Sequence, residues 1–269
     1  MKFSGFGEKF TGHSGILQLM DDLGNAVAGD KDVIMLGGGN PSHIPSVQSL
    51  FRQRMVDILE NGDEFEHLVG DYDPPGGNPG FRGDVAALLN KLYGWPVTGK
   101  NIALTNGSQT AFFYLFNLLA GENAQGEKKK ILLPLAPEYI GYVDAGIDDD
   151  IFIANKPQFQ FLDEHTVKYR VVFDAIHVDD NIAAICVSRP TNPTGNVLTD
   201  NEVEKLRALA RKHNIPLIID NAYGAPFPGI IFEEVTPVWD EEIVLCLSLS
   251  KLGLPGVRTG IIVANEEIA

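Results

Sequence analysis

The chain is short of basic residues. Lysine and arginine together number 21 against 36 aspartates and glutamates, which gives a formal net charge of −15. Because nucleic acids and anionic membranes repel such a surface, we exclude both as partners. No run approaches the roughly 18 apolar residues that span a membrane, and residues 1–15 contain no apolar core of a secretory signal. We therefore expect a cytoplasmic protein.

Cysteine is also scarce. Cys186 and Cys246 each lie in an apolar run typical of a buried strand, which favours two small buried side chains over a disulfide or a nucleophile. The six histidines show no metal-ligand spacing, so no metal site is predicted. The 269 residues, 44% of them hydrophobic, are enough for a sizeable core.

Most of the readable chemistry lies in Ser248-Leu249-Ser250-Lys251 and in Arg258, which follows it. The apolar run 243–247 predicts a buried strand leading into this stretch. Serine hydroxyls and a guanidinium bind a phosphate dianion, and a nearby lysine amine can form an imine with a carbonyl. Pyridoxal phosphate requires both. Taken alone, the tetrapeptide is more typical of a surface Ser/Lys loop, so this interpretation depends on the rest of the chain.

Polar residues follow several other predicted strands. The strand 101–105 ends at Asn106-Gly107-Ser108-Gln109, and Ser108 is the expected N-cap of an apolar helix over 110–120. The N-terminus of such a helix binds anions through its free N–H groups. The strands 128–133, 182–188 and 216–219 are followed by Tyr139, by Asn192, and by Asp220 and Tyr223. We expect an open, mostly parallel α/β sheet with helices on both faces and one shared site at the carboxyl ends of its strands.

Two features of the N-terminal part of the chain, a run of three glycines and Tyr72, each allow two interpretations. Gly37-Gly38-Gly39 end a predicted strand at 33–36, and they fit either a turn or a close backbone approach to a ligand. Tyr72 stands before a loop rich in proline and glycine, and it fits either a buried plug or a ligand contact. The pattern also predicts helices over 15–27, 46–60 and 81–93, with an acidic, polar connection after the second.

Together these motifs resemble the ordered signature of the fold-type I, class I and II aminotransferases. The elements are Gly107-Ser108-Gln109, Asn192-Pro193-Thr194-Gly195, Asp220-x-x-Tyr223 and Ser248-x-Ser250-Lys251 with Arg258. Three longer stretches, 113–118, 135–142 and 188–196, resemble a branch that exchanges an amino group between L-valine and pyruvate, or L-alanine and 2-oxoisovalerate in reverse. The resemblance runs from Phe3 to the end of the chain.

The resemblance implies a role for each of these residues. Lys251 would hold pyridoxal phosphate as an aldimine and then move a proton on the substrate, aided by Asp220 at the ring nitrogen and Tyr223 at the ring oxygen. Tyr139 would stack on the ring, and Asn192 would contact both the ring oxygen and the substrate. The phosphate would be held by Gly107, Ser108, Gln109, Ser248, Ser250 and Arg258. In a homodimer, Tyr72 would reach the neighbouring subunit's phosphate, while Gly39 would line the substrate pocket.

The resemblance also implies a domain organisation. Residues 1–45 would form an N-terminal arm with a substrate loop, and residues 46–269 the large, cofactor-binding domain. Such enzymes continue into a small domain that supplies the arginine for the α-carboxylate of the substrate, and nothing in 1–269 matches that arginine. We therefore expect this domain to be largely missing from the sequence. Two alternatives remain open, another pyridoxal phosphate reaction such as β-elimination and a non-catalytic module that binds the cofactor.

Overall fold

The structure is a computed structural model that describes residues 2–29 and 40–269. The predicted strand at 33–36 and Gly39 lie outside the described residues. The helices are α1 Gly5–Phe10, α2 Gly15–Ala28, α3 Pro45–Glu60, α4 Glu64–Gly70, α5 Pro79–Tyr93, α6 Ser108–Leu119 and α7 Asp200–Lys212. The strands are β1 Ile102–Asn106, β2 Gly121–Glu122, β3 Lys128–Leu133, β4 Phe152–Ala154, β5 Gln158–Phe161, β6 Val167–Arg170, β7 Ile182–Ser188, β8 Leu217–Asp220, β9 Ile243–Ser248 and β10 Thr259–Val263.

One eight-stranded sheet organises the chain. Its order is β1-β10-β9-β8-β7-β3-β2, with β4 also paired to β3. The strands β4, β3, β7, β8 and β9 are parallel, which is the predicted arrangement. β10 runs antiparallel to both β9 and β1, so β1 points the same way as β9. The connection 249–258 is too short for the crossover that a parallel strand needs, which explains why β10 reverses.

Helices cover both faces of this sheet, as predicted. Strand side chains alternate between the faces, so Ile185 of β7 packs into one apolar cluster and Cys186 into the other. The helices α5 and α7 cover the first cluster, and α6 covers the second with Phe112 and Phe116. Both cysteines are buried and unpaired, also as predicted.

The N-terminal part differs from the rest because α1, α3 and α4 bury none of their residues. The predicted polar connection after α3 is wrong, since Glu64–Gly70 forms α4. His67 is hydrogen-bonded to Asp63 and to Asp71, four residues away on either side, and this spacing supports one helical turn each way. None of the helices in the described ranges has both the length and the apolar character needed to cross a bilayer.

Candidate active site

The carboxyl ends of β1, β7, β8 and β9 lie along one edge of the sheet. Ser188 ends β7 directly beside Asp220, which ends β8. Ser248 ends β9, and the chain continues from it into Lys251. The loop after β1 lies against Gly260, at the start of β10. Polar residues separated by more than a hundred positions in sequence are therefore adjacent at this edge.

Lys251 faces an aromatic side chain from the neighbouring strand end. Its Nζ lies 5.2 Å from the ring centroid of Tyr223, within the range of a cation–π contact. The Tyr223 hydroxyl in turn accepts a hydrogen bond from Asn192 Nδ2 at 3.4 Å. The predicted amine, phenol and amide are thus brought together, and Lys251 is only partly exposed to solvent.

Arg258 lies against the loop after β1. We refer to its guanidinium, Ser250 and Gly107 as the Arg258 pocket. Its Nη1 donates to Ser250 Oγ at 3.4 Å and to the Pro255 carbonyl at 3.2 Å. A Cβ on Gly107 would overlap Arg258 Nη2, so glycine is what allows the guanidinium to approach this closely. Gly107 also has φ of +87°, which L side chains rarely adopt. The predicted phosphate-binding arginine and glycine are therefore in direct contact.

The N-terminus of α6 opens onto the same pocket. The prediction that Ser108 is the N-cap is wrong, because Gly107 occupies that position and Ser108 is the first helical residue. No side chain caps the helix, so its first N–H groups remain available to an anion. Gln109 Nε2 donates to the Gly141 carbonyl at 2.6 Å, while its Oε1 is buried without a partner among the described residues. Ser248 is buried, and its Oγ accepts the Ser250 N–H at 3.2 Å.

Asp220 is a buried carboxyl at the centre of the edge. Its Oδ2 accepts a hydrogen bond from the Tyr142 hydroxyl at 2.6 Å, and its Oδ1 accepts the Ala222 N–H at 3.0 Å. Burial raises the pKa of Asp220, and both hydrogen bonds oppose that rise because they favour the charged form. None of the ion pairs in the described part of the chain involves Asp220. A cationic ligand would supply the positive partner that the Asp220 carboxylate lacks in this part of the chain.

Tyr139 lies close to Tyr223, Asp220 and Arg258. Burial raises the pKa of its hydroxyl, as do the nearby Tyr223 and Asp220, whereas the positive charge of Arg258 lowers it. Its ring meets that of Tyr142 edge to face, with centroids 5.6 Å apart. The predicted aromatic contact thus lies within electrostatic range of three other predicted site residues.

The sequence interpretation missed three residues behind the site. The Tyr142 hydroxyl lies 3.1 Å from Ser188 Oγ, and the Ser188 hydroxyl and N–H both contact the carboxyl of Glu138. Ser188 was recoverable, since it ends a predicted strand as Asp220 does. Tyr142 and Glu138 flank Tyr139 in sequence without any pattern that singles them out.

Tyr72 is not brought into this cluster. It follows α4 and is fully exposed, so nothing in the single chain supports the interpretation as a buried plug. Its predicted contact with a neighbouring subunit stays a prediction. Gly39 lies outside the described residues, so its place in a substrate pocket also stays a prediction.

Comparison with known proteins gives a consistent result. The family model described as "Aminotransferase class I and II" matches residues 32–269. The valine–pyruvate aminotransferase of Escherichia coli (strain K12) is 56% identical over 268 residues, which are 100% of this chain and 64% of that protein. The crystal structure of valine–pyruvate aminotransferase from Salmonella typhimurium LT2 has a TM-score of 0.82 and 52% identity, covering 94% of this chain and 61% of that one.

A more distant structure shows the fold alone. The aspartate aminotransferase of Thermotoga maritima has a TM-score of 0.74 at 20% identity, covering 99% of this chain and 67% of that one. The chain spans less than two thirds of the length of the two valine–pyruvate enzymes. The predicted family and fold class are confirmed, because the family model covers most of the chain and the matching structures share its fold. The chain belongs to the class I and II aminotransferases.

Proposed function

We propose that this protein is a transaminase that exchanges an amino group between L-valine and pyruvate, or between L-alanine and 2-oxoisovalerate in reverse. The observation that carries the proposal is that Lys251 lies over the ring of Tyr223, while Tyr223, Asp220 and Arg258 all lie near enough to Tyr139 to shift its pKa. The choice of valine and pyruvate is supported by the 56% identity to a relative that is named for those substrates.

The residues present fit pyridoxal phosphate, the cofactor of this family. A guanidinium, serine hydroxyls and an uncapped helix N-terminus form a donor set suited to a phosphate. Gly107 has no side chain at the point where a Cβ would displace Arg258. A buried carboxyl without a cationic partner in the described part of the chain suits the protonated ring nitrogen. When bound, the cofactor supplies an electrophilic carbonyl and a ring that accepts negative charge.

In this proposal each of these side chains has a defined task. Lys251 Nζ would hold the cofactor through its carbonyl and would serve as the base for the proton on the substrate Cα. Asp220 would keep a positive charge on the ring nitrogen. Asn192 and Tyr223 would donate to the ring oxygen, and Asn192 would also contact the substrate. Tyr139 would stack on the ring. The phosphate would be held by Gly107, Ser108, Gln109, Ser248, Ser250 and Arg258.

The proposal includes a homodimer with its sites at the interface, where Tyr72 reaches the phosphate of the neighbouring subunit. The homodimer is supported by the exposed apolar residues of α3 and α4, which include Leu50, Leu59 and Leu68. We assign residues 1–45 to an arm and residues 46–269 to the large domain, with the arginine for the α-carboxylate in a small domain that follows. A cytoplasmic location stays a prediction.

A half-reaction tests the function. Excess L-valine added to the complete protein loaded with pyridoxal phosphate should convert the cofactor to its amine form and release one equivalent of 2-oxoisovalerate. Pyruvate should then restore the cofactor and yield L-alanine. No conversion with L-valine would refute the proposal. Release of pyruvate and ammonia from a β-substituted amino acid, without an added oxo acid, would favour a β-elimination lyase instead. Cofactor binding without either reaction would favour a non-catalytic module.

Substituting Gly107 with alanine should weaken cofactor binding. The new Cβ would push the Arg258 guanidinium away from the pocket, and losing one charged hydrogen bond costs about 1.5–3 kcal/mol, or at least about tenfold in affinity. The control is Gly94→Ala, where φ is also positive at +69° but the new Cβ meets open space. Titration with pyridoxal phosphate should show a loss of affinity in Gly107→Ala alone. An equal loss in both variants would show that backbone strain, rather than crowding of Arg258, is responsible.

A further inference from the structure

A buried chain of hydrogen bonds runs behind the site from Glu138 to Asp220. Ser188 contacts Glu138 twice, since its N–H donates to Oε1 at 3.0 Å and its hydroxyl lies against Oε2. Ser188 Oγ then lies 3.1 Å from the Tyr142 hydroxyl, which is 2.6 Å from Asp220 Oδ2. Ser188 and Asp220 are buried, as is the Glu138 carboxyl, although other atoms of Glu138 reach solvent.

Counting protons along this chain determines which group must hold one. If Asp220 is a carboxylate, the single hydroxyl proton of Tyr142 is used in the bond to Asp220. The contact between Tyr142 and Ser188 can then be a hydrogen bond only if Ser188 donates to Tyr142. Ser188 has no second hydroxyl proton, so the proton between Ser188 Oγ and Glu138 Oε2 must belong to Glu138. An ionised Glu138 would draw the Ser188 proton and leave two oxygens facing each other without a proton.

We propose that Glu138 is a positioning residue that stays protonated at neutral pH and, through Ser188 and Tyr142, directs every hydroxyl proton of this chain toward the Asp220 carboxylate. The role of Asp220 toward the cofactor rests on the proposed function, whereas the protonation of Glu138 rests only on Asp220 being a carboxylate. Such a chain stabilises the charged form of Asp220 at a depth where water cannot, because each bond polarises the next.

The surroundings of Glu138 agree with a neutral carboxyl. The titratable groups that face it are Asp220 on β8, Tyr142 on the 3-10 helix Ile140–Ala145 and Cys186 on β7, and none of them is a cation. No ion pair within residues 2–29 and 40–269 includes Glu138. Burial raises the pKa of Glu138 to about 8 and outweighs the hydrogen bonds from Ser188, which favour the charged form.

Infrared spectroscopy of the complete protein tests the protonation directly. At pH 7 the wild type should show the carbonyl band of a buried carboxylic acid, and Glu138→Gln should lack it. Raising the pH through about 8 should convert that band to a carboxylate band in the wild type. Identical spectra of the two proteins in the acid region at pH 7 would overturn the proposal.

Thermal unfolding provides a second readout with a defined sign. The folded protein binds more protons than the unfolded chain between the ordinary glutamate pKa of 4.5 and about 8, so the wild type loses stability as the pH rises through that window. Glu138→Gln lacks this loss. Its melting temperature minus that of the wild type should therefore increase by roughly 5 °C or more from pH 5 to pH 9. A difference that stays constant with pH would contradict a protonated Glu138.

The positioning role is tested by conservative rescue. Glutamine donates through its amide to Ser188 Oγ and accepts the Ser188 N–H, so Glu138→Gln should keep the dissociation constant for pyridoxal phosphate within about threefold of the wild type. Glu138→Leu and Ser188→Ala remove the outer donors and should weaken binding by about tenfold. They should also move the acid limb of the kcat/KM profile to higher pH, because Asp220 loses support for its charge.

An equal loss of affinity in Glu138→Gln and Glu138→Leu would overturn the positioning role, since it would show that the negative charge of Glu138 is needed. If Glu138→Leu does not fold, Ser188→Ala and Glu138→Gln still decide the question. A wild-type protein that fails to bind pyridoxal phosphate would refute the proposed function and, with it, the role toward the cofactor. The infrared and unfolding measurements would still show whether Glu138 holds a proton.

Discussion

Lys251→Ala should abolish transamination by the complete protein, with a loss of about 10⁴-fold or more in kcat. The amine is proposed to act twice, as the covalent partner of the cofactor and as the base that removes the Cα proton. A positioned base alone contributes about 10²–10⁴-fold to the rate. Because Lys251→Ala loses both tasks, its loss in kcat should reach or exceed the upper end of that range. The measurement is steady-state turnover of L-valine with pyruvate.

Lys205→Ala is the matched control for that substitution. Lys205 Nζ lies 5.1 Å from the ring centroid of Phe173, almost the distance that separates Lys251 from the Tyr223 ring. Lys205 belongs to α7 and is exposed. Its substitution removes a comparable cation–π contact and should leave turnover within about twofold, since surface substitutions usually change little. Turnover by Lys251→Ala at the level of Lys205→Ala would exclude Lys251 as the catalytic amine.

Asp220→Asn should reduce kcat by about 10²–10³-fold. Asparagine keeps one oxygen for the Tyr142 hydroxyl, while its amide nitrogen cannot accept the Ala222 N–H, so one of the two hydrogen bonds is kept and one is lost. It lacks the negative charge that is proposed to hold a proton on the ring nitrogen, and without that proton the ring accepts electrons poorly. Single-turnover conversion of the cofactor with L-valine separates this defect from weaker cofactor binding, because the chemical step itself should be slow in saturated protein.

Asp150→Asn is the control for the loss of one acidic charge. Asp150 is an exposed residue paired with Lys130, and exposed pairs contribute about 0–1 kcal/mol. Its substitution should leave the single-turnover rate unchanged. If Asp220→Asn converts valine as fast as this control, then the charge of Asp220 has no part in the reaction.

The predictable part of the fold is the part set by local pattern. The apolar runs of β7, β8 and β9 are buried on both faces of the sheet, so each run identifies a strand regardless of its partners. The direction of β10 depends on the length of the connection before it, which the apolar pattern alone did not reveal. The helix α4 is stabilised by charged side chains on an exposed surface, and an acidic stretch of that composition also fits a loop.

The predictable part of the site consists of side chains at strand ends. Asp220 and Lys251 could be placed at one edge because consecutive parallel strands end there. Tyr142 and Glu138 could not be identified in this way, because the importance of each arises from a buried contact with Ser188. The N-cap of α6 was misplaced by one residue because serine is the more common cap, whereas the close approach of Arg258 requires glycine there.

The most direct test of the central claim is to identify which lysine binds the cofactor. The complete protein is incubated with pyridoxal phosphate, reduced with borohydride to fix the imine, digested and sequenced by mass spectrometry. We expect the added pyridoxyl group on Lys251 at close to one per chain, and none in Lys251→Ala. A stoichiometric label on any other lysine, with Lys251 unmodified, would contradict the assignment of this edge of the sheet as the active site.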